Sequence, residues 1–375
     1  MTLERWSQIN PYLSRIARYS HSPLNTVWGI YTILRLPETV RYQPELVKIE
    51  ITTRCNLACR FCGHTWGVAW AKGLADLPAG SEEERKFLKA CHRSGRDMSL
   101  ETFQHILSQF PYMSRLDVQG LGEPLINPAF LSMLELSAQQ KAKVQFYTNG
   151  TLMSPEISRK LVDFQVAEIS ISLDGASPSV YEFIRRGARF DRVVANVQAL
   201  VDAKRRAGSE RPYVRLTMVA TSHNTAEMPD LIALGHRLGV DEVVTTYFKD
   251  IAPALSSWIC DTEEMAEAIA GSNRKAAELG VRFVVEFTPP DSPNSENGGT
   301  SSRRCLWPWL SVNVTIDGFL TPCSYVPCHD GWDLGNLLET PFLELWNAPA
   351  YRVLRRRLRS GLVEGLVCQS CRDQV

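Results

Sequence analysis

Three cysteines in one short loop have the spacing of ligands to an iron–sulfur cluster. Cys55, Cys59 and Cys62 stand in the run ITTRCNLACRFCG, and the aromatic Phe61 directly precedes the last of them. Three thiolates do not complete the four-ligand shell of a structural zinc site, but they can hold three irons of a [4Fe–4S] cluster and leave the fourth iron open for chemistry. A zinc site completed elsewhere in the chain, or three reduced thiols, are the alternatives.

The segment before this loop and five later segments have the pattern of β-strands. The predicted strands are residues 47–52, 115–120, 143–149, 168–174, 213–220 and 242–248. Helical patterns separate them, at 99–110, 128–140, 155–165, 191–207 and 226–238. This alternation predicts an α/β fold with a parallel sheet and helices outside it, and it places the cysteine loop at the carboxyl end of the first strand. In a β/α barrel that end is the catalytic face.

The second predicted strand ends in a turn, VQGLGEPL, that contains Gly122, Glu123 and Pro124. A glycine lets the backbone turn at the end of a strand. A carboxylate in such a turn can accept hydrogen bonds from a substrate ammonium group. Alone, the tripeptide is a weak signal; after a cysteine loop and at the end of the next strand, it indicates a binding site.

The third and fourth predicted strands also end in polar side chains. Thr148 and Asn149 belong to a turn sequence, and Ser172 and Asp174 place a hydroxyl and a carboxylate on one face of the same strand. Arg186 directly precedes a glycine, and an arginine can bind a carboxylate through two hydrogen bonds. Ordinary loop chemistry or solvated charge is the alternative for each of these elements taken singly.

A second set of cysteines lies near the end of the sequence. Its members are Cys305, Cys323, Cys368 and Cys371. An apparent hairpin, SVNVTIDGFLTPC, leads to Cys323 and has its turn at Asp317 and Gly318. Four thiolates suit either a saturated iron–sulfur cluster or a tetrahedral zinc ion, and spacing alone does not distinguish the two. Cys328 could replace one of the four.

These motifs, in this order, resemble the radical S-adenosylmethionine (SAM) superfamily. The resemblance implies a partial (β/α)6 TIM-like barrel, in which SAM chelates the open iron of the [4Fe–4S] cluster through its amino and carboxylate groups. Leu121 replaces the first glycine of the family's GGEP element. The residues that the resemblance assigns to SAM binding are Phe61, Gly122, Glu123, Pro124, Thr148, Asn149, Ser172, Asp174 and Arg186.

The C-terminal cysteines resemble those of the SPASM/twitch auxiliary-cluster domains found in many radical SAM enzymes. We expect the shorter twitch form, a small α+β domain with one auxiliary cluster of the [4Fe–4S] type, because only four residues follow Cys371. The expected domains are an N-terminal helical extension (1–46), the barrel (47–287) with an insertion at 63–98, a linker (288–304) and the twitch domain (305–375). The insertion is either a lid or a surface excursion.

The resemblance implies that SAM is reductively cleaved to a 5′-deoxyadenosyl radical, which abstracts a hydrogen atom from the substrate. An auxiliary cluster that accepts an electron would make the reaction a net two-electron oxidation. We expect a small molecule, such as a sugar, aminocyclitol or nucleoside, rather than a peptide, because 46 residues are few for a leader-binding domain. A redox-neutral reaction (dehydration, epimerisation or decarboxylation) and peptide modification are the alternatives. An iron–sulfur electron-transfer protein that does not cleave SAM, or a zinc-stabilised binding module, would be a different class of protein.

Composition and charge limit the classes of binding partner and the cellular location that we expect. The 375 residues include 41 basic and 41 acidic side chains, so no overall field attracts nucleic acid. The first residues are too polar for a signal peptide, and no apolar run reaches the length of a membrane span, so we expect a cytoplasmic protein. An external one-electron donor of the flavodoxin or ferredoxin type is expected as a partner. The arginine run 355–359 is expected to be a solvated helix face.

Overall fold

The computed structural model describes residues 22–65, 95–140, 142–248, 253–286, 305–323 and 334–362. These residues contain one nine-stranded sheet. Its strands are β1 (Leu46–Ile49), β2 (Arg115–Val118), β3 (Lys143–Thr148), β4 (Glu168–Ser172), β5 (Tyr213–Ala220), β6 (Glu242–Tyr247), β7 (Arg282–Glu286), β8 (Ser311–Val314) and β9 (Leu320–Thr321). The strand order is β7-β6-β5-β4-β3-β2-β1-β8-β9. Neighbouring strands are parallel except for β8 and β9.

The predicted α/β fold with a partial barrel is confirmed. All six predicted strands are present and occur in sequential order, from β1 to β6. Within the described residues the edge strands β7 and β9 do not pair with each other, so the barrel stays open. Sequence reasoning missed β7, a five-residue run (RFVVE) at the sheet edge that is only half-buried. Its alternation is therefore weaker than that of an inner strand such as β5.

Helices follow most strands and cover one face of the sheet. They are α1 (Pro23–Arg35), α2 (Leu100–Ser108), α3 (Phe130–Gln139), α4 (Pro155–Asp163), α5 (Pro178–Ile184), α6 (Phe190–Arg206), α7 (Met228–Leu238), α8 (Thr262–Leu279), α9 (Trp307–Leu310), α10 (Phe342–Trp346) and α11 (Pro349–Arg359). Serine side chains start several of them; Ser154 and Ser177 each precede a proline and accept a hydrogen bond from the backbone three residues later. In the part of the chain that the structure describes, no helix is both long enough and apolar enough to cross a bilayer.

The two faces of the sheet differ in chemistry. Phe146 of β3 packs against Phe130 of α3, with ring centroids 5.1 Å apart, which identifies the face that the helices cover. Its chain neighbour Gln145 lies on the opposite, inner face. Lys48 of β1 and Asp117 of β2 lie in register with Gln145 on that inner face. The interior of the open barrel is therefore polar here, whereas a closed TIM barrel is filled with branched apolar side chains.

The C-terminal segment extends the same sheet. Strand β8 pairs in parallel with β1, and Asn313 lies opposite Lys48. The predicted hairpin is confirmed: β9 returns antiparallel to β8, and Gly318 in the turn has a φ of 84°. The expected boundary in residues 288–304 lies outside the described residues and stays a prediction, as do the other expected domain limits.

Arg355 is fully buried, so the expectation of one solvated arginine face was wrong at this position. Its guanidinium lies 4.2 Å from the ring centroid of Trp346 and 4.9 Å from that of Tyr351. Its Nε donates to the carbonyl of Pro308 at 3.0 Å, and Nη1 donates to that of Trp346 at 2.7 Å. Burial lowers the pKa of Arg355 to about 10. The charges of residues 355–359 do not indicate which of these arginines faces the core of the folded protein. Arg355 thus joins α11 to the segment that follows Cys305.

Candidate active site

The cysteine loop lies at the carboxyl end of β1 and packs against the end of α5. The backbone N–H of Ala58 donates to the carbonyl of Arg186 at 2.9 Å, and that of Arg60 donates to the carbonyl of Ile184 at 2.9 Å. Cys59 is buried, while Cys55 and Cys62 are half-buried. These backbone bonds fix the loop so that its three cysteines remain on one side of the sheet's carboxyl edge.

The thiols of this loop are close enough to affect one another. Burial raises the pKa of Cys55, and it raises the pKa of Cys59 to about 12; the neighbouring thiol of Cys62 contributes in the same direction to both. Iron bound at such thiols deprotonates them outright. Among the described residues, no group of three or more His, Cys, Asp and Glu side chains could hold one metal ion. Three thiolates can hold three irons of a [4Fe–4S] cluster and leave the fourth iron open, so this donor set fits such a cluster.

The turn after β2 lies directly against the cysteine loop. The backbone N–H of Glu123 donates to the carbonyl of Arg54 at 2.8 Å. A Cβ atom on Gly122 would lie 2.4 Å from the carbonyl oxygen of Thr52 and 2.7 Å from that of Arg54. Only glycine permits this approach, so the turn and the loop form one rigid unit.

The carboxylate of Glu123 joins the ends of β2 and β3. It is buried, and its Oε1 accepts hydrogen bonds from Thr148 Oγ1 at 2.7 Å and from the backbone N–H of Leu125 at 3.2 Å. Its Oε2 accepts one from the backbone N–H of Asn149 at 2.7 Å. Burial raises the pKa of Glu123, and these hydrogen bonds oppose that rise. A carboxylate has about four acceptor positions, so capacity for an ammonium group remains.

A side-chain network that the sequence did not reveal ties the cysteine loop to β3. Asn149 Nδ2 donates to Asn56 Oδ1 at 2.9 Å, and Asn56 Nδ2 donates to Thr151 Oγ1 at 2.8 Å. Thr151 Oγ1 in turn donates to Asn149 Oδ1 at 2.6 Å. Asn56 lies between two of the cysteines, which was the signal that could have identified it. The network closes on itself and holds the loop in register with the Glu123 turn.

A buried ion pair supports the loop from β4. Arg185 Nε donates to Asp174 Oδ2 at 2.6 Å, while Asp174 Oδ1 accepts from the backbone N–H of Val219 at 2.7 Å. The charge of Arg185 also lowers the pKa of Cys59, against the larger effect of burial. The predicted SAM ligand Arg186 is exposed and contributes its carbonyl to the loop. Its role at SAM and that of Asp174 remain predictions.

The remaining predicted residues are placed as follows. Ser172 is half-buried at the end of β4, and Pro124 begins the short 3-10 turn Pro124–Ile126. The ring of Phe61 packs against Phe248 and Trp258, with centroids 5.8 Å apart in each case. Thus the structure gathers the loop, the Glu123 turn and the ends of β3 and β4 at one edge of the sheet.

The structure describes half of the second cysteine set. Cys305 precedes α9 by two residues, and Cys323 follows β9 by two; both are half-buried. Cys368, Cys371 and Cys328 lie outside the described residues, as does most of the insertion 63–98. The four-thiolate set therefore remains a prediction.

Gly122→Ala is expected to lower the free energy of unfolding by about 2 kcal/mol, because the added methyl group displaces the carbonyls of Thr52 and Arg54. Chemical denaturation monitored by circular dichroism would measure this. The matched control is Gly271→Ala in α8, where a Cβ meets its nearest atom at 3.5 Å. That change should be neutral or stabilise by up to about 1 kcal/mol. Equal stability of the two variants would contradict the rigid contact between turn and loop.

Comparison with known proteins agrees with this geometry. The family model of the radical SAM superfamily matches residues 49–235, and that of SPASM, an iron–sulfur cluster-binding domain, matches residues 305–372. The chain is 25% identical over 344 residues to a tungsten-containing aldehyde ferredoxin oxidoreductase cofactor-modifying protein of Pyrococcus furiosus, covering 87% of each chain. It is 26% identical to mycofactocin maturase MftC of Mycobacterium ulcerans, covering 86% of this chain and 78% of that protein.

Two further similarities bear on the fold and the substrate. The chain is 20% identical to PqqA peptide cyclase of Xanthomonas campestris, covering 88% of this chain and 79% of that protein. Streptococcus suis SuiB bound to the precursor peptide SuiA has the same fold, with a TM-score of 0.63 at 14% identity, covering 88% of this chain and 71% of that one.

The expected preference for a small molecule over a peptide is wrong. A peptide cyclase and a maturase stand among the similar proteins, and each similarity spans most of the chain. The expectation rested on the length of the segment before the first strand. The length of a segment does not describe the surface that binds a substrate, so it could not determine the substrate class.

Proposed function

Because this chain belongs to the radical SAM superfamily and carries a SPASM iron–sulfur domain, we propose that it is a radical enzyme that modifies a peptide. The cofactors of these two domains are a [4Fe–4S] cluster, SAM and auxiliary iron–sulfur clusters. The peptide substrate is supported by the similarity, along most of the chain, to a maturase and to a peptide cyclase.

One observation carries the radical chemistry: the cysteine loop and the Glu123 turn are locked together at the carboxyl edge of the sheet. Cys55, Cys59 and Cys62 would hold the cluster and leave one iron open. When bound, the cluster and SAM supply a radical that removes a hydrogen atom from the substrate. The protein's own task is to orient SAM and the target C–H bond, and to exclude water and other hydrogen donors.

The residues around the loop have distinct positioning tasks in this proposal. Glu123 keeps one acceptor position for the SAM ammonium while it holds the end of β3. Asn149 links that strand end to the cysteine loop through Asn56. Arg185 places a positive charge beside Cys59, which offsets part of the negative charge of a thiolate-bound cluster.

The auxiliary cluster is proposed to accept an electron from the substrate radical. Cys305, Cys323, Cys368 and Cys371 are its proposed ligands. The peptide would then lose a hydrogen atom to the SAM-derived radical, an electron to the auxiliary cluster and a proton to solvent. This is a net two-electron oxidation. A redox-neutral modification remains the second candidate, because it needs the same site without the electron acceptor.

The proposed function is tested with reconstituted enzyme, SAM, a chemical reductant and the short peptides encoded beside its gene. We expect 5′-deoxyadenosine release to increase with one peptide and that peptide to lose two hydrogens, measured by mass spectrometry. Cys305→Ala should retain 5′-deoxyadenosine release and fail to form the oxidised product. A product of unchanged mass would favour the redox-neutral reaction. If no peptide is modified and free sugars or nucleosides are, the peptide assignment is refuted.

A further inference from the structure

Helix α1 is apolar on both of its faces. One face packs against the protein, where Ile33 is fully buried and contacts Leu310. The other face carries Leu24, Val27 and Tyr31, which are 67%, 61% and 47% exposed. Their spacing of three and four residues places them in one stripe along the helix. A surface helix normally presents polar side chains to water, so an exposed apolar stripe of this kind marks a contact site.

Basic and aromatic side chains border this stripe. Arg35 is exposed and ends α1 one turn after Tyr31, so it lies on the same side of the helix as the stripe. The guanidinium of Arg41 lies 4.7 Å from the ring centroid of Trp28. Trp28 in turn contacts Tyr31 edge-on, with ring centroids 5.8 Å apart. The apolar stripe is therefore bordered by two cations and two aromatic rings.

Helix α11 adds positive charge beside the end of α1. The sequences of α1 and α11 contain no Asp or Glu, and α11 carries five arginines. The carboxylate of Glu38, three residues after α1, contacts Arg356 at 2.8 Å and Arg359 at 3.2 Å. The hydrogen bond from Arg356 lowers the pKa of Glu38, and the nearby charge of Arg352 acts in the same direction. Three exposed arginines thus surround one carboxylate, so this part of the surface is positively charged.

We propose that this α1 surface (Leu24, Val27, Tyr31, Arg35, Arg41 and Arg352) docks the protein on an anionic lipid membrane. The aliphatic side chains enter the boundary between headgroups and acyl chains, the rings lie at the headgroup level, and the arginines attract anionic headgroups. The 13 residues of α1 span about 20 Å, which is less than the hydrocarbon core of a bilayer. The helix therefore lies in the plane of the interface. This association is separate from the proposed peptide modification.

Shape and charge favour a membrane over the other possible occupants of this surface. Leu24 and Val27 are about two-thirds exposed, so they protrude from the protein and do not line a groove that could receive the anchor residues of a partner protein. A second copy of the chain would bring Arg35 and Arg41 close to the same residues of its partner, and like charges repel. Protruding apolar side chains beside cations are the features that bind an anionic bilayer surface.

Vesicle co-sedimentation of the reconstituted full chain tests the apolar part of the surface. The vesicles contain phosphatidylglycerol and phosphatidylcholine in equal parts. Leu24→Ser/Val27→Ser should lower the partition coefficient at least about tenfold, which corresponds to about 1.4 kcal/mol. The matched control, Ile259→Ser/Leu343→Ser, removes two aliphatic side chains that are 49% and 56% exposed elsewhere on the protein. Its partition coefficient should stay within about twofold of the wild-type value. Equal binding of the two variants would overturn the proposal.

A second pair of variants tests the charge and leaves the apolar stripe intact. Arg35→Gln/Arg352→Gln should lower partitioning onto the anionic vesicles about tenfold, whereas Arg205→Gln/Arg206→Gln in α6 should leave it within about twofold. Added salt should weaken binding of the wild type more than binding of the first of these variants.

Three results would overturn the membrane assignment. The first is a wild type that does not sediment with anionic vesicles. The second is a wild type that binds polyaspartate and no vesicles, which would identify an acidic protein as the occupant. The third is a wild type that dimerises in sedimentation equilibrium and binds no vesicles, with Leu24→Ser/Val27→Ser monomeric, which would identify a second copy of the chain. Loss of peptide modification with vesicle binding retained would refute the proposed function alone.

Discussion

Replacing Cys55, Cys59 and Cys62 together by alanine is expected to reduce 5′-deoxyadenosine release from SAM to background. The three side chains are the proposed ligands of the cluster with the open iron, and without that iron SAM has no site of reductive cleavage. Iron content after anaerobic reconstitution should fall by about four atoms per chain, since one four-iron cluster is lost. Iron analysis and chromatographic detection of 5′-deoxyadenosine measure the two effects.

The matched control for this variant is Cys260→Ala. Cys260 is a half-buried cysteine at the start of α8 and belongs to neither cysteine set. Its replacement should leave iron content and SAM cleavage unchanged. A fall from about eight irons per chain in the wild type to about four in the triple variant would indicate one auxiliary four-iron cluster. A fall from about four irons to none would show that the C-terminal cysteines hold no cluster, and the redox-neutral reaction would then be favoured. Retained SAM cleavage in the triple variant would contradict the assignment of the loop.

Breaking the buried pair between Asp174 and Arg185 is expected to lower the free energy of unfolding by about 3–5 kcal/mol. Asp174 is fully buried and the Arg185 side chain is 12% exposed, so the partner that remains would keep an uncompensated charge out of water. Asp174→Asn retains an acceptor for the backbone N–H of Val219 and removes the negative charge. Arg185→Gln removes the positive charge. Denaturant titration of both single variants and of the double variant gives the coupling energy of the pair.

An exposed pair provides the comparison within the same segment. Arg189 and Glu182 lie 3.4 Å apart, and the Arg189 side chain is 76% exposed. The same cycle of neutral variants should give a coupling energy below about 1 kcal/mol there, because water screens the two charges. Arg185→Gln should also reduce iron retention after reconstitution, since the positive charge of Arg185 favours the thiolate of Cys59. Equal coupling energies for the two pairs would show that burial does not strengthen the Asp174–Arg185 interaction.

Agreement between sequence and structure is greatest where local patterns repeat. Strand alternation predicted six of the parallel strands, and the turn chemistry of Asp317 and Gly318 predicted the hairpin. The cysteine spacing and the LGEP turn predicted the family. Each of these features is set by neighbouring residues, whose periodicity and conformational limits can be read along the chain.

The sequence did not predict which of several similar residues would be buried and paired. Of two adjacent arginines, Arg185 is buried against Asp174 and Arg186 is exposed. Arg355 lies in the core although it belongs to a charged run. Sequence alone gives the charge of such side chains, but burial depends on which helix face meets the sheet and on what lies opposite. The residues that meet in this way are far apart along the chain and close together in the folded protein.

The sequence by itself determined the chemical groups of the protein: the residue types that can bind iron, the turn that carries a glycine and a carboxylate, and the alternation that builds a parallel sheet. The tertiary structure decided how these parts are joined. It alone brought Asn56 to Asn149 and Glu123 to Thr148, and it set β8 beside β1. The physical reason is that ligand type is a property of single side chains, whereas position and burial arise from packing between segments far apart along the chain.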